Sequence, residues 1–206
     1  ATAADFLSDY ELDPTALVIV ARTLGVLCDA VTIVMVARIG ERLARWAGVA
    51  AAALVALSPT MIATSRAIYT DSYMAVFAVL ALERMLAYRA SARAAPLVAA
   101  TVLTGLAAGA KYPGALLVIP LAWVILEREG VRGLRTWGLA ALAALGVFLI
   151  TSPFVVLDFG RFVRDFTFES FHMSSGHFGS GGRRAFLFQL QALARDIGWL
   201  GVALLA

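Results

Sequence analysis

Apolar residues in this chain come in long unbroken runs separated by short charged stretches, and the lengths of those runs set the expected architecture. The first covers about residues 15–37, after an acidic opening that ends in Pro14, a residue suited to the first turn of a helix. A basic connection over 38–45 leads to runs at 46–64 and 72–88. Each approaches the roughly 20 residues with which a helix crosses a bilayer. Ser58-Pro59 predicts a kink or early unwinding near the end of the second run. The block 96–126 is too long for one ordinary span, and Lys111-Tyr112-Pro113-Gly114 divides it. We read two short spans there, 96–110 and 114–126, with one kinked helix as the alternative. A charged loop at 127–135 precedes a span at 136–157, and a last span begins near Ala185 and is cut off. Phe159, Phe162, Phe166 and Phe171 recur at helical spacing and predict an amphipathic helix over 158–171, lying in the membrane interface.

Continuous rather than alternating apolar runs exclude a membrane β-barrel and predict an all-α fold. The expectation is a polytopic transmembrane helical bundle of about six spans, a truncated seventh and the interfacial helix. Composition agrees: 61% of the residues are hydrophobic and 15% charged, where soluble domains have about 45–50% and 25%. Mean hydropathy is +0.85. Residues 1–14 read as the tail of a loop outside the bilayer, and 15–206 as a transmembrane domain incomplete at both ends. No signal peptide is visible, and the chain reads as an internal piece of a longer protein. The one cysteine, Cys28, lies in an apolar run and excludes an internal disulfide framework.

The net charge of +3 comes from 16 arginines and a single lysine. Eight of the arginines (38, 42, 45, 89, 93, 128, 132 and 135) fall in three short loops that the expected topology places on one side. That clustering speaks for membrane orientation rather than nucleic acid, and places those loops in the cytoplasm. Asp71, Lys111 and the histidine-bearing segment then face the exterior, periplasm or lumen; a bacterial inner membrane is the expected setting.

Charged groups next to hydrocarbon are expensive to hold, so they mark candidate sites. The stretch Ser65-Arg66-Ala67-Ile68-Tyr69-Thr70-Asp71 joins two apolar runs and places Arg66 and Asp71 at the outer face. Its plain alternative is a polar hairpin that caps helix ends. Arg22 lies in the outer third of the first span, suited to an anionic headgroup or to snorkelling outward. Asp29 follows near mid-membrane, where pairing with a neighbouring helix is the simplest account. Lys111, followed by Tyr112, sits at a helix break, where a compact ammonium suits a phosphate. Glu169, His172 and His177 lie in the outer segment. Their spacing matches no strong metal motif, so hydrogen bonds to a substrate are the preferred reading. No metal site and no definite cofactor are assigned; a divalent cation is left open.

The run Ala21-Arg22-Thr23-Leu24-Gly25, then Ser58-Pro59, Ser65-Arg66 and Thr70-Asp71, resembles the membrane glycosyltransferases of the GT-C type. The match is to the family 39 group of protein O-mannosyltransferases and lipid A sugar transferases. Gly105 to Lys111, Ser152-Pro153-Phe154 through Asp158, and Gly176-His177-Phe178-Gly179 are similar in order and spacing. The resemblance implies a polyprenyl-phosphate-linked sugar donor and a protein, lipid or glycan acceptor. An acceptor hydroxyl attacks the anomeric carbon with inversion, and the lipid phosphate leaves. By position Asp71 resembles the family's second acidic residue, and Arg22 and Lys111 its basic residues near the carrier phosphate. The usual general base lies in the first outer loop, which this chain contains only as a tail; Asp5 and Asp9 do not match it. The resemblance therefore implies a piece inactive by itself. A transporter or flippase segment binding an anionic or lipid-linked solute is the rival reading, with Asp29 in its favour, and a structural membrane subunit is a third.

Overall fold

The computed structural model describes residues 13–175 together with Gln191 and Ala194, and every regular element among them is helical. In chain order these are α1 (Thr15–Glu41), α2 (Arg45–Ala56), α3 (Pro59–Arg66), α4 (Asp71–Ser91) and α5 (Ala94–Ala110). A 3-10 segment (Tyr112–Leu117), α6 (Val118–Glu129), a second 3-10 turn (Gly130–Arg132), α7 (Gly133–Thr151), α8 (Phe154–Leu157) and α9 (Phe159–Ser175) follow. The chain divides into two compact units, residues 1–148 and 149–206. The expected span beginning near Ala185, and Asp5 and Asp9, lie outside the described residues.

In the first unit, α1 begins beside Asp13, whose carboxylate accepts the Thr15 N–H at 3.0 Å. Those contacts with Thr15 hold the Asp13 carboxyl below its usual range. The kink expected at Ser58-Pro59 is present: α2 and α3 meet at 51°. Pro59 opens α3, and the Ser58 hydroxyl accepts the Met61 N–H at 3.2 Å, so the break is a capped helix start.

The block 96–126 is divided at Lys111, as the two-span reading requires. Lys111 is extended (φ −158°, ψ 132°), and the chain turns there into the 3-10 segment. A Cβ on Gly114 would run into the Ala107 carbonyl, so only glycine fits where the returning chain touches α5. The helical run then doubles back again at Gly130 (φ +59°). The Trp137 indole N–H donates to the Val118 carbonyl at 3.1 Å, and Tyr112 meets Phe148 edge-on at 6.3 Å. Those contacts lay α7 antiparallel to α6.

Packing centres on Ala81, Met85 and Tyr88 of α4, Ala100 of α5, Leu121 and Ile125 of α6 and Ala140 of α7. Small residues let these helices approach closely: a Cβ on Gly105 would lie 2.5 Å from the Ala144 carbonyl.

By length and composition alone, α1 and the stretch Tyr112–Thr151 each qualify as membrane-capable, the second as a hairpin folded at Gly130, and the bent α2–α3 pair makes a third if its arms form one span. The figure of about six spans goes beyond these. Helix α4 has 21 residues but includes Glu83, Arg84 and Arg89, and α5 has 17. The expected span at 136–157 is shorter too: α7 stops at Thr151, because Pro153 cannot continue it.

In the second unit, the expected amphipathic helix is α9, which runs further than 158–171. Asp158 accepts the Arg161 N–H at 3.3 Å and caps its start. Phe162 stacks obliquely between Phe159 and Phe166, at centroid distances of 6.1 and 5.8 Å.

Candidate functional site

Asp71 and Lys111 lie 40 residues apart and meet: the ammonium donates to the Asp71 carboxylate at 2.7 Å. Each owes its place to a helix end. Asp71 is the first residue of α4, where exposed backbone N–H groups favour a negative charge. Lys111 follows the last turn of α5, with its N–H on the Ala107 carbonyl and its own carbonyl accepting from Gly114. The Gly114 contact with Ala107 therefore sets where the ammonium emerges. Both side chains remain open to solvent, 44% and 41% exposed. At that exposure the pair adds little stability, about 0–1 kcal/mol. An incoming anion can thus displace the carboxylate from the ammonium at small cost.

Other expected site residues cluster at this end of the first unit without joining the pair. Tyr112 is half-exposed beside Lys111. On α1, the turn bearing Arg22 touches the neighbouring elements: the Tyr73 hydroxyl donates to the Ala21 carbonyl at 3.5 Å, and Gly25 faces the Ser65 carbonyl. Arg22 itself is exposed, as is Arg66 at the end of α3. Neither forms an ion pair among the described residues. Glu169 is exposed on α9 in the second unit, and His172 falls in the same helix. The His172 side chain and all of His177 lie outside the described residues. Among the described residues no group of histidine, cysteine or acidic side chains is arranged to hold a metal.

Below the pair, Asp29 is 7% exposed. Ser72 of α4 lies alongside it, but neither carboxylate oxygen has a hydrogen-bond partner of ordinary geometry. The neighbouring-helix partner expected for Asp29 is thus only approached.

The far end of the unit holds a polar network that the apolar pattern concealed. Eighteen residues separate Asp71 from Arg89 along α4, about 27 Å of helix and close to the ~30 Å of a bilayer core. Arg89 grips Glu127 through Nε and Nη2 at 3.1 and 2.6 Å. Arg128 donates to the Arg89 carbonyl and lies over the Tyr88 ring. Glu129 accepts from Tyr88 at 2.5 Å and from Thr136 at 2.6 Å. Glu83, only 8% exposed, is held by Arg42 at 2.8 Å and Arg84 at 2.5 Å. Glu83 and Arg84 fall inside a run read as apolar. Their signal was an i,i+1 charge pair breaking that run, with Arg42 of the 38–45 connection available as a partner.

Apolar helices of spanning length with charged residues gathered at opposite ends define an integral membrane protein. Within that class, residues 17–157 match the family described as dolichyl-phosphate-mannose-protein mannosyltransferase, and the chain belongs to this family of glycosyltransferases. No curated protein and no solved structure matches the chain. The matched region contains Arg22, Arg66, Asp71, Lys111 and Tyr112 and stops before Glu169, His172 and His177.

Proposed function

We propose that this chain provides the carrier-phosphate end of a glycosyltransferase that moves a sugar from a polyprenyl-phosphate carrier to an acceptor hydroxyl, at the non-cytoplasmic face. The observation that carries the reading is the Lys111–Asp71 pair, a loosely held cation and carboxylate at a helix break. In the reaction the acceptor oxygen forms a bond to the anomeric carbon as its proton passes to the general base of the first outer loop, while the bond from that carbon to the phosphate oxygen breaks. The leaving phosphate gains charge in the transition state, so cations placed beside it lower the barrier. Lys111 meets that charge as a point cation, and Arg22 adds a guanidinium from α1. Once phosphate takes the ammonium, Asp71 is released to orient the acceptor hydroxyl.

Lys111→Ala, Asp71→Asn and Arg22→Ala in the intact protein test this, assayed with a polyprenyl-phosphate sugar donor in membranes. Transfer should fall by about 10²–10³ in the Lys111 and Asp71 variants, while insertion and helix content persist. Normal transfer in all three would end the assignment. A solute carrier would instead keep binding and lack any glycosylated product.

A further inference from the structure

A groove runs along the first unit near its arginine-rich end, away from the Asp71–Lys111 pair. Two adjoining hollows of about 480 and 300 Å³ form it, sharing Ile39, Leu86 and Arg89. Leu82 and Leu86 of α4 make the floor, Ile39 of α1 and Trp123 of α6 the walls, and Arg42 and Arg89 the mouth. Trp123 is 71% exposed and Leu43, at the mouth, 87%. In a bilayer these surfaces meet acyl chains.

The mouth is cationic beyond what its carboxylates neutralise. Arg42 and Arg84 share the single carboxylate of Glu83. Arg89 uses Nε and Nη2 on Glu127, and Arg42 uses one Nη2 contact on Glu83. A guanidinium carries five N–H donors, so each keeps donors to spare while its carboxylate holds it in place. Fixed guanidiniums above an apolar trough fit a ligand that has an anionic head and a hydrocarbon tail. A packed helix would fill the trough but leave the spare guanidinium donors unused.

We propose that this groove binds an anionic phospholipid of the leaflet at the arginine-rich end, with its phosphate on Arg42 and Arg89 and one acyl chain along Ile39, Leu86 and Trp123. The site is separate from the proposed carrier site and does not depend on it.

Native mass spectrometry of the full chain, offered equal phosphatidylglycerol and phosphatidylcholine, tests the proposal. Phosphatidylglycerol should be retained about 20-fold in preference, falling to about fivefold in Arg42→Gln or Arg89→Gln, since each cation near anionic lipid contributes roughly a factor of five. Both variants disturb ion pairs, so Ala90→Trp provides the second arm: it fills the groove and leaves both arginines intact. Retention should be lost there with helix content unchanged. Equal retention of the two lipids, or a preference that survives Ala90→Trp, would overturn the proposal. So would concentration-dependent dimerisation that Trp123→Ser abolishes, because a second copy would then occupy the groove.

Discussion

Two buried carboxylates show how differently a membrane bundle can treat the same group. Glu83 sits between two guanidiniums, Arg42 donating to one oxygen and Arg84 meeting the other as an ion pair without a hydrogen bond, and removing both would leave a charge stranded in a place of low dielectric. Asp29 is just as buried, yet no donor reaches its oxygens in ordinary geometry. A buried acceptor without a partner loses about 1–3 kcal/mol relative to water. Asp29→Ala, which removes both oxygens, should therefore raise stability by about that amount, read as a higher midpoint of thermal unfolding in detergent. A lower midpoint would show that the carboxylate is held by a group outside the described residues. Asp71 and Lys111 differ from Asp29 in being paired with each other and exposed.

Among the elements, the breaks matter more than the helices. Pro59, Pro113 and Pro153 each sit where a helix stops or restarts, and each break was legible because proline removes a donor and clashes with the preceding turn. The division at Lys111 was legible for the same reason. The cap of α4 was not: Ala92, just after its last residue Ser91, has φ +55°, a left-handed conformation usually left to glycine. An L-residue there forgoes about 1–2 kcal/mol. Ala92→Gly should recover about 1 kcal/mol in thermal unfolding, with sugar transfer unchanged. The charged stretch at 89–93 marked the end of the run, but no hydrophobic pattern encodes an alanine in the left-handed conformation as its cap.

For the whole molecule, the opposed clustering of charge leads to a topological test. With Cys28→Ser as background, Thr70→Cys and Ala92→Cys should react with a membrane-impermeant thiol reagent from opposite faces of sealed vesicles. Arg132→Cys should side with Ala92→Cys, because Arg89 and Arg128 belong to one network. Labelling of Thr70→Cys and Ala92→Cys from one face would remove α4 as a crossing element.

Long apolar runs were enough to dictate helices and a membrane setting, because hydrocarbon offers the backbone no partners outside its own chain. They also showed which polar residues stood out, Arg22, Asp71 and Lys111 among them. They did not dictate how many runs cross, since charges inside α4 and the short arms around Lys111 blur the count. Partnership was settled only in three dimensions. That Lys111 meets Asp71, that Glu83 takes Arg42, and that Asp29 is left unanswered all depend on which helix faces lie together. Side chains some 40 residues apart leave no periodic trace of one another, so only the packed bundle determines their contact.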